Sequence, residues 1–234
     1  MKGDVTLDQD DLHPHGFRSK FHTARVVLGE MGPVLFLTKV LPWSFRRRYV
    51  FYSERIRVPE ACPPLPAWFR FGIAGKKDLD TLMALRKGYY KRDMLERRFD
   101  MGQICFLGWS GEDLVHARWT FSGKFYIPYL RRRIVLGPDE VLGAEAYTAP
   151  DFRRLGIYAC FGRLMRIALL ERGFKRLIVV IASWNTPVRR AVLKTGSAEI
   201  ARFGYWNGPG IRRFFWSGGI EVHDDGTIIF NAAR

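Results

Sequence analysis

Residues 141 to 196 alternate a strand-like segment, a tight turn, a helical run, a second strand and a second helix. No other feature of the chain constrains its fold as strongly, because such alternation belongs to α/β architectures rather than to bundles or sandwiches. The first strand is "VLGAEAYT", and "DFRRLGIYACFGRL" then sets paired arginines and one glycine directly before an apolar helical run. "IYACFGRLMRIALLERG" has helical spacing with Gly173 as its C-terminal stop. "FKRLIVVIA" carries the β-branched run of a buried strand. "WNTPVRRAVLKTG" predicts a second helix, with Asn185 or Thr186 as N-cap, Pro187 in the first turn and Gly196 past the end.

Upstream, the chain divides at the proline-rich "PEACPPLP", which reads as a linker because each ring fixes φ and removes a backbone donor. Residues 1–67 before it form an N-terminal extension, a helix plus a strand with a proline-rich end. After it, "WFRFGIA" predicts a first strand, and "KKDLDTLMALRKGYYKRDMLERRF" has helical spacing at Leu79, Leu82, Met83 and Leu85. "GQICFLGWSGEDLVHARWTFSG" reads as a hairpin turning at "SGED". "KFYIPYLRRRIVLGPDE" reads as a loop rich in aromatics and arginines, either a substrate-contacting loop or a lid packed over the sheet. Residues 207–234 supply further strands that complete a sheet or form a hairpin.

Composition narrows the class. The 234 residues are 47 % hydrophobic and 26 % charged, as in a globular domain, and no apolar run is long enough for a membrane-spanning helix. The acidic start "MKGDVTLDQDD" is unlike a secretory signal, and three scattered cysteines make neither a disulfide framework nor a metal cluster, so a cytoplasmic setting is expected. The net charge is +15, and residues 151–213 alone hold 13 Lys or Arg against 3 carboxylates. A field of that sign favours an anionic partner such as nucleic acid, acidic lipid or a multiply phosphorylated cofactor.

The turn at "RRLGIY" supplies what phosphate binding at a helix start requires: free backbone N–H groups and a glycine that permits close approach. It is neither a Walker loop nor a dinucleotide Gly-x-Gly-x-x-Gly turn. Several segments in order resemble the GNAT superfamily of acyl-CoA-dependent N-acyltransferases over residues 68–206: the hairpin 103–122, the strand 141–148, "APDFRRLGIY", the helix 157–172, the strand 174–182 and the Asn-led helix ending in Lys-x-Gly. The resemblance implies a mixed, twisted central sheet flanked by helices, acetyl-CoA or another acyl-CoA as co-substrate, and a small-molecule primary amine as acceptor. It also implies that the strand ending at Thr148 splays from the following parallel strand, so that backbone groups from Tyr147 to Ala149 engage the pantetheine and thioester.

By the same resemblance Thr148, Ala149, Arg153, Arg154, Leu155, Gly156, Ile157, Tyr158, Asn185 and Arg189 are the cofactor-binding candidates, with Arg190 as a further counter-charge. Two departures stand out. Tyr158 occupies a position where the family has Gly or Ala, which suits a side chain directed away from the backbone donors. Val192 occupies the position of a tyrosine that can protonate the departing thiolate, leaving solvent, another hydroxyl such as Tyr205, or no specific acid.

Glu145 is the candidate base, as the one acid in "LGAEAYT", and strand alternation sets Tyr147 on its face. His116 is a second-choice base, and Asn185 either bonds the cofactor arm or caps its helix. "HPH" at residues 13–15 lacks the further ligands of a metal site, so no metal is expected. "GPVLFLTKVLPWSFRRR" combines an apolar stretch, a tryptophan and three arginines, as an interfacial helix does, making residues 33–48 a candidate for peripheral membrane contact and a longer-chain acyl donor. A basic nucleic-acid-binding module and a non-catalytic acyl-CoA-binding protein are the other readings.

Overall fold

The computed structural model describes residues 46–57, 67–153, 155–207 and 212–231. The "HPH" segment, residues 33–45 of the interfacial stretch, the linker "PEACPPLP" and Arg154 lie outside the described residues. The elements are β1 (Arg46–Arg55), β2 (Phe69–Ile73), α1 (Leu79–Leu85), α2 (Arg92–Asp100), β3 (Ile104–Ser110), β4 (Asp113–Phe121), β5 (Lys124–Ile127), β6 (Arg132–Val135), β7 (Glu140–Thr148), α3 (Ile157–Glu171), β8 (Arg176–Ala182), α4 (Thr186–Lys194), β9 (Ala198–Asn207), β10 (Arg212–Gly218), β11 (Ile220–Val222) and β12 (Thr227–Phe230).

Eight strands form one mixed sheet in the order β10-β9-β1-β8-β7-β4-β3-β2. Every neighbouring pair in it is antiparallel except β7 and β8, the two strands joined by α3. The helix α3 buries one stripe, Ile157, Phe161, Met165, Ala168 and Leu169, whose spacing repeats every third or fourth residue. That stripe and Val192 of α4 pack on Val50, Tyr52, Phe106, Val141 and Val179 of the sheet. On the opposite face α1 and α2 cover Cys105, Leu107, Ala117 and Trp119. Beside them a four-stranded sheet, β11-β12-β6-β5, covers Phe51, Leu142, Ile178 and Phe203.

Three expectations change. The strand assigned to an N-terminal extension lies between β8 and β9, in the middle of the large sheet, so residue 67 separates no independent unit from the rest. Tyr49, Val50, Phe51 and Tyr52 are all buried, as both faces of a central strand must be. The long helical segment after Gly75 is two helices, because the chain turns between them and Gly88 takes the left-handed φ of +79°. The stretch read as a loop is the β5–β6 hairpin, turning at Pro128–Arg131 and pairing in parallel with β12.

Glu54 fixes β1 in place. Its buried carboxylate accepts hydrogen bonds from Arg166 Nε of α3 at 2.6 Å and from Ser197 Oγ at 2.5 Å, with Thr195 Oγ1 at 3.2 Å. One charged group therefore ties the first described strand to two later elements.

Candidate active-site cleft

β7 and β8 pair only from Glu140↔Arg176 to Gly143↔Val179. Beyond that point β7 follows β4 and β8 follows β1, so a cleft opens between strands that began as neighbours. The divergence has a local cause on β7. Ala144 pairs with Trp119 and Tyr147 with Ala117, which leaves Glu145 and Ala146 together opposite Arg118 as a β-bulge. Glu145 there has φ +51°, and the bulge, not simple alternation, sets its direction.

The cleft encloses about 320 Å³ and is walled by His116, Arg118, Gly143, Thr148, Tyr158 and Val192, among others. α3 begins at its mouth. Gly156 precedes the helix with φ +75°, no side chain caps it, and nothing lies within 4 Å of where a Cβ would stand. The first backbone N–H groups of a helix have no acceptor within the helix, so this uncapped start is suited to an anion. Asn185 lines the cleft at the start of α4, and its side chain makes no capping hydrogen bond.

The other expected residues distribute unevenly. Thr148 reaches the cleft and its Oγ1 lies 2.7 Å from His116 Nδ1, while the Ala149 N–H is committed to Val115 O at 2.8 Å. Arg153 folds back along the strand end, donating from Nε to Thr148 O at 3.1 Å. Leu155 is exposed, and Ile157 is buried in the core beneath α3. Tyr158 is not directed away; it forms part of the cleft wall. Arg189 lies outside the cleft lining, held by Tyr52 Oη at 2.8 Å and Ser183 O at 3.1 Å with Glu199 nearby.

Tyr147 also lies outside the lining, its ring beside the guanidinium groups of Arg86 and Arg153. Tyr205 is buried on the opposite face of the sheet, donating to Tyr129 O at 3.1 Å. Part of the basic excess is internally paired, Arg166 with Glu54 and Arg176 with Glu140, while Arg202 meets Glu199 at the surface.

Glu145 lines the cleft with both carboxylate oxygens bound by Arg98, whose Nη1 and Nη2 each donate at 2.8 Å. Burial opposes the Arg98 charge, but the Glu145 carboxylate outweighs it and holds that guanidinium above its ordinary pKa. His116 is differently placed. It is fully buried, packs against Phe161 with ring centroids 4.1 Å apart and planes tilted by 58°, and has no hydrogen-bond partner at Nε2. Burial, aided by the charge of Arg118, pushes its pKa down to about 3, so the ring is neutral at pH 7.

Sequence reasoning missed Arg98, Arg118 and Gly143. A usable signal was present in "DLVHARWTF", where His116 and Arg118 share one face of a strand whose other face, Val115, Ala117, Trp119 and Phe121, is apolar.

No protein-family model matches the sequence, and no curated protein does either. Among solved structures, a tandem GNAT protein from the clavulanic acid biosynthesis pathway aligns over 80 % of this chain at 13 % identity and a TM-score of 0.49, with this chain spanning 58 % of that protein's length. AAC(6')-Iy in complex with the bisubstrate analogue CoA-S-monomethyl-acetylneamine aligns over 55 % of this chain and 89 % of its own, at 12 % identity and a TM-score of 0.44. The aminoglycoside 6'-N-acetyltransferase AAC(6')-Ih from Acinetobacter baumannii gives 12 % identity, a TM-score of 0.43 and coverage of 55 % and 89 %. Function has to be argued from the cleft itself.

Proposed function

We propose that this chain is an acyl-CoA-dependent N-acyltransferase that delivers an acyl group, with acetyl as the simplest case, to a primary amine. The observation that carries the reading is the opening of the β7–β8 ladder beyond Gly143↔Val179 directly beside the uncapped start of α3. A pantetheine arm is narrow and extended, and its phosphates need donors at one end. The cleft runs between two parting strands, and the start of α3 and Arg153 adjoin its Tyr158 and Thr148 walls.

Acyl-CoA supplies an activated carbonyl as a thioester, and attack by the amine forms the C–N bond while the C–S bond breaks. This chain's residues position the reactants. We assign the amine proton to solvent in the cleft, because both Glu145 oxygens are engaged by Arg98 and the His116 ring, with a pKa of about 3 and an enclosed Nε2, is too weak a base for an amine at neutral pH. Thr148 Oγ1 holds the ring from its other nitrogen. Val192 offers no proton to the leaving thiolate, and none is required, since a free thiol with a pKa near 8.5 leaves readily as the anion.

Calorimetric titration with coenzyme A and acetyl-CoA tests the reading first, followed by product formation across a panel of primary amines. Binding that weakens about tenfold in Arg153→Ala, a loss near 1.4 kcal/mol, supports it. Absence of binding by any acyl-CoA removes it.

A further inference from the structure

Arg118 on β4 is 5 % exposed and lines the cleft. Its guanidinium rests against Gly143, where a Cβ would come within 2.6 Å of Nη2, so the missing side chain at 143 makes room for the charge. On its other side the ring centroid of Tyr158 lies 5.8 Å from Cζ. Among the described residues no carboxylate pairs with this guanidinium, no acceptor takes a hydrogen bond from it, and Nε is enclosed without a partner. Among the described residues the other buried arginines are treated differently: Arg98 pairs with Glu145 and Arg166 with Glu54.

An arginine does not shed its proton, and a buried unpaired charge is costly to keep. The planar fork of donors matches a carboxylate or a phosphate oxygen pair. Position selects between them. Gly143 is the last β7 residue still paired with β8, so Arg118 reaches the closed end of the cleft, whereas Arg153 and the start of α3 stand at its mouth. Building on the acyltransferase reading, the mouth takes the cofactor phosphates and the closed end faces the reacting groups.

We infer that Arg118 binds a carboxylate carried by one of the two reactants, either the far end of a dicarboxylic acyl group or the carboxylate of an amino-acid-like acceptor. The neutral His116 ring beside it leaves the Arg118 charge as the group a ligand must match. Tyr158, standing where a small residue would leave the cleft wider, sets its ring 5.8 Å from the guanidinium and narrows the space left for a ligand.

The test compares succinyl-CoA with butyryl-CoA, which match in chain length, by calorimetry on the full chain. A second arm compares an α-amino acid with its amide as acceptors, by kcat/KM with acetyl-CoA. In either arm the carboxylate form is favoured about tenfold or more, as expected for a charge-assisted bond, and the arm that shows it names the reactant. That preference disappears in Arg118→Met and survives in part in Arg118→Lys, both variants being checked for native circular dichroism. Equal affinity and turnover in both arms, or a preference that persists in Arg118→Met, overturns the inference. So does an equal loss of binding for coenzyme A itself, which would put Arg118 on the cofactor. Should no thioester bind at all, the acyltransferase reading fails on its own account. Thermal stabilisation by free glutarate that is lost in Arg118→Met would then still support a carboxylate site, and its absence would overturn one.

Discussion

Arg98 of α2 grips Glu145 of β7 through two parallel 2.8 Å hydrogen bonds, and Glu145 is the residue whose left-handed φ of +51° marks the bulge. The two side chains are 7 % and 9 % exposed, so the pair is desolvated and each partner depends on the other. The ion pair therefore holds the bulge, and with it the point where β7 turns away from β8.

Removing one partner should be far worse than removing both. Arg98→Met takes the bidentate guanidinium away from a buried carboxylate and is expected to lose about 3–5 kcal/mol of stability. The double variant Arg98→Met, Glu145→Gln should recover a substantial part of that loss. Denaturant unfolding of the two singles and the double gives the coupling directly, and additive losses would show that the pair does not act as a unit.

Gly156 stands at the mouth of the cleft with open space around it and φ +75°. Gly156→Ala meets no atom but must take a left-handed conformation, at a cost of about 1–2 kcal/mol. If the helix start holds phosphate, coenzyme A affinity falls well beyond that stability loss, since a shifted backbone misdirects several donors together. A calorimetric titration that shows unchanged affinity would take the helix start out of the binding site.

Much of this architecture was legible. The order strand, turn, helix, strand, helix rests on local signals, a six-residue turn and an apolar stripe, and α3, β8 and α4 fall where those signals set them. β1 was not legible as a central strand. Its register partners, Tyr49↔Ala182 and Tyr49↔Phe203, lie more than 130 residues away, and no local pattern encodes such a pairing. The bulge at Glu145 was hidden for a related reason: it exists only relative to β4. Arg98 and Arg118 were lost because an arginine in an amphipathic segment reads as surface until its neighbours are known.

Arg118 gives a prediction of opposite sign to most core substitutions. Replacing it with Met removes a buried charge that no described carboxylate neutralises, and keeps similar volume. Arg118→Met should be as stable as the wild type or more so, by about 1 kcal/mol, while losing its ligand preference. Thermal unfolding checks this, and a marked destabilisation would mean that the guanidinium is held by the fold rather than kept for a ligand.

Glu54 predicts how strongly β1 belongs to the sheet. Glu54→Ala strands Arg166 without its carboxylate and deprives Ser197 of its 2.5 Å acceptor, so a loss of about 3–5 kcal/mol is expected. Hydrogen exchange should then quicken first along β1 and its partners β8 and β9. Protection that falls equally across β2 and β3 would show that the network does not act locally.

His116 sets the acid limit of the fold. Its pKa is about 3 in the folded protein against an ordinary 6.5, so between those values the unfolded chain binds a proton that the folded one does not. Stability therefore rises with pH across that window and is lost as pH falls through it, by up to about 1.4 kcal/mol per unit. His116→Gln keeps a polar group beside Thr148 and has nothing to titrate, so its stability should be flatter from pH 6.5 down to 3, and the two curves should converge at the acid end. The same ring should also report ligand binding. A carboxylate seated on Arg118 cancels the charge that helps keep His116 neutral, so the imidazole pKa, followed by NMR, should climb when a carboxylate-bearing reactant is bound and stay low with its neutral counterpart. An imidazole that titrates near 6.5 in the free protein would mean that the ring is solvated, and its account as a buried neutral group would fall.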